Sequence, residues 1–433
     1  MAACRTCVAT LAAVLAMAML ASAEPSTARP LVISHRGYPC KYPEETIRGY
    51  EEAIAAGVDY IEMDVVSTKD GKLITRHDVL LDESTNIKDV DEFKNRTATK
   101  LVNGKNITGY FAIDFTLEEI KSLKTRQRLA FRDHSVDGKF MVPTLKEVLQ
   151  LVKAARRNGT KVGAYTETKH PQFHIDNKRP LEEPLVAELR DLQLLADPGA
   201  IYLQSFDPAS IKKLQELLGD KNRLPATWLI GCEEPIPTLA ELEEFKEYGT
   251  AIGPDKLLLF NVNAADECGR SANSSCGALE PTQECIGRLE PPPEAAATST
   301  LLTAAHDTGL EVHAYTFRNE GKFMALDFMS DPYVELNFYA NRSRGVSWVD
   351  GVFIDCPATS VPWRDGGSWD PSRDSDENGA RDCNYGGVVF AMIFLSIVSM
   401  AFSLLYVRER RRGRAGGAFS RLSGVEMDQR AQL

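Results

Sequence analysis

Two carboxylates lie two residues apart in a run of sequence that otherwise has the composition of a buried β-strand. They are Glu62 and Asp64, in the stretch YIEMDVVSTKDGKLITRHD at residues 60–78. Alternate residues of a strand point to the same face, so both carboxylates share one environment. Burying an unpaired carboxylate costs on the order of several kcal/mol. A positive partner is therefore expected, either a metal ion or a buried Arg or Lys.

Further ionisable side chains end other strand-like runs. His35 ends the run LVISH and His77 ends KLITRH, while Tyr165, Glu167 and Lys169 share one face of AYTETKH. In a parallel α/β barrel, functional residues cluster at the carboxyl ends of the strands. These side chains are therefore expected at the carboxyl-end face of a barrel, where an active site would lie.

The combined set suits metal-assisted phosphate chemistry. Three carboxylates from two strands, with no cysteine ligand nearby, favour one hard divalent cation, Ca²⁺ or Mg²⁺. Two histidines suit a general acid and a general base. Arg36 and Lys169 suit an anion such as phosphate. Arg318 ends the later run LEVHAYTFR and is a possible substrate contact, whereas His170 and His174 are expected in a surface loop.

Strand-like and helix-like runs alternate through residues 30–363, which predicts parallel strand pairing. About eight such units fit one (β/α)8 TIM barrel, with a doubly wound open sheet as the alternative. Residues 80–143 and the cysteine-bearing residues 264–297 interrupt the rhythm and are expected to be insertions. The expected strands are residues 31–35, 60–68, 72–77, 161–170, 200–206, 225–231, 256–263, 310–318 and 351–355.

Both ends of the chain have the composition of membrane-targeting segments. Residues 1–23 combine Arg5, an apolar run and a small-residue cleavage pattern, which predicts a signal peptide rather than an uncleaved anchor. Residues 386–407 are uncharged and long enough to cross a bilayer, and they precede a basic tail at 408–433. With residues 364–385 as a polar stalk, the expected protein is a single-pass type I membrane protein of the secretory pathway. A removable lipid anchor and a buried core helix are the alternatives at this end.

Charge and cysteine content agree with an extracellular or lumenal domain. The formal net charge of −11 argues against a nucleic-acid partner, whose phosphates require a basic surface. Seven cysteines follow the signal segment, so disulfides are expected in an oxidising compartment, with at least one cysteine unpaired or bonded between chains. Asparagines that could carry N-glycans are Asn95, Asn106, Asn158, Asn273 and Asn341.

Several motifs together resemble one known family. They are HRGYPCKYPEET (35–46), GVDYIEMDVVSTKDGKLITRHD (57–78), YTETKHP (165–171), AIGPD (251–255), VHAYTFR (312–318) and GVFIDCP (351–357). In this order and spacing they resemble the glycerophosphodiester phosphodiesterases, most closely the bacterial periplasmic type. The resemblance implies a TIM barrel that hydrolyses glycerophosphodiesters to sn-glycerol 3-phosphate and an alcohol. It implies metal ligands at Glu62, Asp64 and Glu167, acid–base residues at His35 and His77, and phosphate contacts at Arg36 and Lys169.

The chain departs from the family pattern in places. Glu45 stands where many members have Asn, at a position to which we assign no chemical role. Residues 264–297 and those after Trp363 have no recognised counterpart in the bacterial type. The alternatives are an inert membrane-displayed relative, a glycosidase, or an enzyme that acts on lysophospholipids or sphingomyelin at the bilayer. The paired carboxylates on one strand fit a glycosidase poorly, because the acids of those enzymes flank the sugar bond.

Overall fold

A computed structural model describes residues 29–232, 234–260, 262–263, 288–289, 300–340 and 348–367. Its strands are β1 Leu31–Ser34, β2 Tyr60–Ser67, β3 Leu73–Thr75, β4 Ala98–Val102, β5 Lys105–Gly109, β6 Gly163–Thr168, β7 Ile201–Ser205, β8 Ala226–Ile230, β9 Ala251–Pro254, β10 Val262–Asn263, β11 Arg288–Leu289, β12 Glu311–Phe317 and β13 Gly351–Ile354. Its α-helices are α1 Ile47–Ala56, α2 Leu117–Ser122, α3 Leu145–Arg157, α4 Pro171–Asp176, α5 Glu182–Asp191, α6 Pro208–Leu218, α7 Leu239–Lys246, α8 Thr300–Asp307, α9 Pro332–Ala340 and α10 Pro357–Arg364.

Eight of these strands close into a parallel barrel. The order is β1, β2, β6, β7, β8, β9, β12 and β13, and β13 pairs with β1 again. The strands are apolar and almost entirely buried, because helices cover the outside and side chains fill the inside. The expected TIM barrel is confirmed. The open-sheet alternative is wrong, since an open sheet would leave β1 with one neighbour.

Two expected strands differ from the structure. The strand expected at 256–263 is wrong as a barrel strand, because the barrel strand is β9 and a 3₁₀ turn follows it at Lys256–Leu258. Of the expected range, Val262–Asn263 forms the short strand β10, which lies outside the barrel. Pro254 has no N–H for the ladder, and the Asp255 carboxylate accepts the Leu257 N–H at 2.9 Å, which starts the turn. β3 is formed, but it pairs antiparallel with β2 as a hairpin arm outside the parallel barrel.

Residues between β3 and α3 form a small substructure with its own apolar cluster. A hairpin of β4 and β5 turns at Asn103 and Gly104, both of which have positive φ, as a type I′ turn requires. α2 begins with a capping box in which the side chains of Thr116 and Glu119 satisfy each other's backbone N–H groups. This substructure follows the strand pair that carries Glu62, so it lies where it can reach the barrel mouth.

A disulfide joins Cys40, in the loop after β1, to Cys356, the second residue after β13. Cys232 is also disulfide-bonded. Of the sequon asparagines, Asn95, Asn106 and Asn158 are exposed.

Other expectations fall outside the described residues. They are the signal segment, most of the cysteine-bearing insertion, the stalk beyond residue 367, the span, the tail, Asn273 and Asn341. Within the described ranges, none of the helices has both the length and the apolar character needed to cross a bilayer.

Candidate active site

The three candidate metal ligands lie side by side inside the barrel. Glu62 and Asp64 alternate along β2 on its inward face, and β2 is in parallel register with β6, so that Asp64 is opposite Glu167. One carboxylate oxygen of each residue lies within 4.8 Å of the others, and all three side chains are buried. The strand period and the register of two neighbouring strands therefore build this cluster.

Two cations contact the carboxylate cluster. Arg36 approaches Asp64 with Nε at 3.0 Å from Oδ2, and its backbone N–H donates to Glu62 at 2.8 Å. Lys169 Nζ lies 2.8 Å from Glu167 and 3.3 Å from Asp64. Three carboxylates thus face two cationic side chains. The ion-pair contacts to Asp64 Oδ2 and Glu167 Oε1 do not have hydrogen-bond geometry, so these two oxygens have no hydrogen-bond donor among the described residues. The buried all-oxygen donor set fits a hard divalent cation.

The pKa values follow from this crowding. Burial, and then the neighbouring Asp64, raises the pKa of Glu62 well above its usual value. Burial raises the pKa of Glu167 to about 8, although Lys169 opposes this. Burial also opposes ionisation of Asp64, but Lys169 and Arg36 hold the pKa of Asp64 well below its usual range. Without a further positive charge, the cluster does not hold all three carboxylates ionised at neutral pH.

His35 is held by a carboxylate to which sequence reasoning gave no role. Its Nδ1 lies 2.7 Å from Asp355 Oδ1, and Asp355 is the residue that follows β13. Burial opposes ionisation of Asp355, but Arg132 and Arg318 hold its pKa well below the usual range. An ionised Asp355 accepts a hydrogen bond from the Nδ1–H of His35, which keeps that proton on Nδ1 and leaves Nε2 as the proton acceptor. Burial, and then Arg36, lowers the pKa of His35 to about 4.

His77 occupies a more open position in the same cavity. Its side chain is 28% exposed, against 10% for His35, and its Nδ1 lies 2.9 Å from Asp78. Burial, and then Arg36 and Lys169, lowers the pKa of His77. The two histidines therefore differ in exposure and in the carboxylate each contacts.

The backbone after β1 explains the HRG motif. Arg36 and Gly37 both have positive φ, which turns the chain sharply at the end of the strand. A Cβ at Gly37 would lie 3.1–3.3 Å from atoms of Gly49 and Tyr50, so the glycine also allows close approach to α1. The turn points the Arg36 N–H at Glu62 and places its guanidinium beside Asp64.

Other polar residues that support the site were not identified from the sequence. Gln204, on the inward face of β7, donates to Glu62 Oε1 at 2.8 Å. Glu44 contacts Arg36 at 3.3 Å. Glu45, which we expected to have no role, accepts the Asp64 N–H at 2.9 Å and the Tyr50 hydroxyl proton. The alternation along β7 was a usable signal for Gln204, whereas loop residues such as Glu44 and Glu45 carry no such signal.

The expectation of a surface loop for two histidines is wrong for His174. Pro171, at the first position of α4, starts a helix directly after the barrel strand, and this helix buries His174 completely. His170 is the residue before the helix and is in the left-handed region at φ 44°. Neither ring nitrogen of His174 has a hydrogen-bond partner, and burial lowers its pKa to about 3.

One cavity of about 670 Å³ at the carboxyl ends of the strands collects the predicted residues. Asp64 lies directly behind its wall, in contact with Arg36 and Lys169. The predicted residues that line the cavity are His35, Arg36, Glu62, His77, Glu167, Lys169 and Arg318. Fold and site together define a (β/α)8-barrel protein whose carboxylates, histidines and cationic side chains gather at the carboxyl ends of the strands, where the active sites of this fold lie.

Comparison with known proteins agrees with this class. Residues 35–359 match the Glycerophosphoryl diester phosphodiesterase family. The glycerophosphodiester phosphodiesterase GDPD6 of Arabidopsis thaliana is 34% identical over 355 residues, which cover 76% of this chain and 84% of the plant protein. The Haemophilus influenzae glycerophosphodiester phosphodiesterase is 26% identical over 354 residues, which cover 78% of this chain and 90% of the bacterial protein.

A candidate glycerophosphoryl diester phosphodiesterase from Silicibacter pomeroyi shares the fold. Its crystal structure aligns with a TM-score of 0.52 at 20% identity, covering 79% of this chain and 96% of that one. The chain belongs to the glycerophosphoryl diester phosphodiesterase family and is an enzyme of that class.

Proposed function

We propose that this chain hydrolyses glycerophosphodiesters to sn-glycerol 3-phosphate and an alcohol, with a divalent cation and two catalytic histidines. The observation that carries the proposal is the convergence of three buried carboxylates, two cations and two histidines on one cavity. Membership of the family supports the choice of substrate. The products place the reaction in glycerol and phospholipid metabolism.

Glu62, Asp64 and Glu167 would hold the cation, either Ca²⁺ or Mg²⁺. When bound, such a cation supplies Lewis-acid polarisation of a phosphate oxygen and lowers the pKa of a bound hydroxyl. Gln204 and the Arg36 N–H fix the Glu62 carboxylate from two sides, with hydrogen bonds of 2.8 Å each. The barrel thus fixes the orientation of a ligand before any substrate enters.

Arg36 and Lys169 bind the phosphate. Both side chains are buried at the cavity wall and lie within 3.3 Å of the carboxylate cluster. Buried, fixed cations stabilise the negative charge that develops on phosphate oxygens in the transition state more strongly than cations in water do. The Arg36 fork adds orientation, because a guanidinium binds two oxygens at once.

His35 and His77 divide the proton transfers. His35 is the base, because ionised Asp355 holds the proton on Nδ1 and leaves Nε2 to accept the proton of the attacking hydroxyl. His77 is the acid, and it protonates the leaving alkoxide. Burial lowers the pKa of His77 most, and the positive charges of Arg36 and Lys169 lower it further. A bound anionic phosphate would offset these two charges. Substrate binding therefore favours the protonated form of His77.

The test uses the purified full-length chain and two substrates with different leaving groups. Glycerophosphocholine has a poor leaving group that needs a proton, whereas a nitrophenyl ester of glycerophosphate does not. His35→Ala should abolish hydrolysis of both, and His77→Ala should spare the nitrophenyl ester. Hydrolysis of glycerophosphocholine that survives both chelator and His35→Ala would refute the proposal. Lysophosphatidylcholine, assayed in parallel, tests the lysophospholipase D-like alternative, and ligand binding without turnover would support an inert relative.

We propose that the catalytic domain faces the lumen or the cell exterior as part of a type I membrane protein. The Cys40–Cys356 disulfide supports this, because disulfides persist in oxidising compartments. The exposed sequons at Asn95, Asn106 and Asn158 would be accessible to glycosylation. Protease protection in microsomes, with and without endoglycosidase, tests the topology, and digestion of the domain in intact vesicles would contradict it.

A further inference from the structure

A segment between α2 and α3 reaches across to the end of the last barrel strand. Residues Arg128 to Phe131 line the catalytic cavity, and the next residue is Arg132. The Arg132 side chain is 3% exposed, although it lies on a polar connection between helices. The neighbouring Phe131 is 42% exposed, so the segment buries its charged residue and leaves its aromatic residue at the surface. Burying a charged side chain is costly unless it is paired, so Arg132 must have specific partners.

Those partners are two carboxylates from two other parts of the barrel rim. Arg132 Nη2 donates to Asp355 Oδ2 at 2.6 Å. Its Nε and Nη2 donate to the two oxygens of Glu320, at 2.7 and 3.2 Å, in a bidentate arrangement. Asp355 follows β13 and Glu320 follows β12, so one guanidinium joins the segment to two strand ends.

The same carboxylate carries His35. Asp355 presents Oδ1 to His35 Nδ1 at 2.7 Å and Oδ2 to Arg132. Arg318 Nε is the second donor to Oδ2, at 3.0 Å, but its side chain is 22% exposed and makes a less buried contact than Arg132 does. Fixing Oδ2 fixes the plane of the carboxylate, and that plane sets the direction of the bond to His35.

We propose that Arg132 is a positioning residue for the reaction, which orients His35 through Asp355. The inference rests on the proposed function, because it assigns His35 to proton transfer. Aromatic contacts hold the segment in place for this role. The rings of Phe131 and Phe323 are 5.7 Å apart, and Lys322 Nζ lies 3.7 Å from the Phe131 ring centre. The part of the chain between β3 and α3 thus contributes to catalysis in the barrel.

The test is a double-mutant cycle on kcat with glycerophosphocholine. Arg132→Leu should lower kcat about 10- to 100-fold and leave KM within about 2-fold, because a misaligned base slows the chemical step more than binding. Asp355→Asn should have an effect at least as large. If Arg132 acts through Asp355, adding Arg132→Leu to Asp355→Asn should cause little further loss. Independent losses that multiply would overturn the proposal.

Arg126→Leu is the matched control. Arg126 lies in the same segment and pairs with Asp89, but its side chain is 42% exposed and the pair is away from the cavity. Its kcat should equal that of the wild type. An Arg132→Leu variant with the kcat of this control, in a folded protein, would also overturn the proposal.

Two milder variants keep the proposal testable if Arg132→Leu does not fold. Arg132→Lys keeps the charge but cannot donate to both carboxylates in the fork geometry, so kcat should fall between that of the wild type and that of Asp355→Asn. Glu320→Gln loosens one side of the fork and should also lower kcat. Wild-type kcat in both variants would refute the role. A wild-type enzyme without activity on any diester would refute the proposed function instead.

Discussion

Binding of a divalent cation should stabilise the barrel as well as support hydrolysis. Glu62, Asp64 and Glu167 are buried within 4.8 Å of one another, and Arg36 and Lys169 supply two positive charges against three carboxylates. Removal of the cation leaves one charge of this group uncompensated, which the protein relieves by protonating a carboxylate. The folded state presents an assembled cluster that could hold a cation, whereas the unfolded chain does not. The perturbation is removal of metal with chelator, followed by titration with Ca²⁺ or Mg²⁺.

The stabilisation follows from how far the free cation concentration exceeds Kd, because the cation binds only the folded state. At a free cation concentration 100 times Kd, stabilisation is about 2.7 kcal/mol. For a domain of about 340 residues, an unfolding entropy of about 2.1 cal/mol/K per residue makes each kcal/mol change the midpoint of thermal unfolding by roughly 1.4 °C, so the midpoint should rise by roughly 4 °C. Calorimetry of the metal-free protein at pH 7, with increasing cation, measures this change. An Asp197→Asn control, at an exposed acid that pairs with Arg156, should show the full rise.

Glu167→Gln separates metal binding from ordinary stability. Burial raises the pKa of Glu167 to about 8, although Lys169 opposes this, so the metal-free wild type already holds this carboxyl mostly protonated at pH 7. Glutamine resembles the protonated acid in shape, so the metal-free midpoint should change by roughly 2 °C or less, while the rise on adding cation should be largely lost. An active wild-type enzyme whose midpoint is unaffected by saturating cation would refute the reasoning, because Arg36 and Lys169 would then satisfy the cluster alone.

Three further predictions concern protons and the disulfide. If His35 is the base, the acid limb of kcat/KM should fall near pH 4, where its pKa is placed by burial and Arg36, and a limb near 6.5 in a pH–rate profile would contradict this. His174 has a folded pKa of about 3 against about 6.5 unfolded, so its contribution to stability is complete above pH 6.5 and is lost as the pH falls towards 3. On going from pH 7 to pH 5, the wild type should lose about 2 kcal/mol more unfolding free energy than His174→Phe does, as measured by urea unfolding. An equal loss in the two proteins would disprove the low pKa of His174. Cys40→Ala with Cys356→Ala should lower the free energy of unfolding by about 2–5 kcal/mol in urea titrations, and an unchanged value would contradict the constraint.

The carboxylate cluster was predictable because it depends on local rules. Period-2 alternation places Glu62 and Asp64 on one face of β2, and the same alternation, continued one residue past the end of β6, places Lys169 on the face of Glu167. The barrel then requires inward residues of neighbouring strands to meet. The failed strand prediction at 256–263 has a local cause as well, since the apolar run there has the composition of a strand, but β9 ends at Pro254 and the run begins as a 3₁₀ turn.

The residues around His35 were not predictable in this way. Asp355 is 320 positions from His35, and Arg132 is 223 positions from Asp355, in a connection without strand or heptad periodicity. Alternation specifies which face of a strand a residue occupies, but it does not specify which loop crosses the barrel mouth. That outcome depends on the packing of the substructure between β3 and α3, and only the folded chain contains it.

Two cross-links outside the barrel strands act on the same pair of catalytic loops. The Cys40–Cys356 disulfide ties the loop that follows His35 to the residue after Asp355, and Arg132 donates to Asp355 Oδ2. A barrel strand end alone leaves a loop residue such as Asp355 free to rotate, and a base needs its imidazole in one orientation. Both cross-links restrain the residues that form one hydrogen bond, the 2.7 Å contact between His35 and Asp355. Under the proposed function, the disulfide and the Arg132 contact would therefore orient the base, while the strands themselves position the proposed metal ligands.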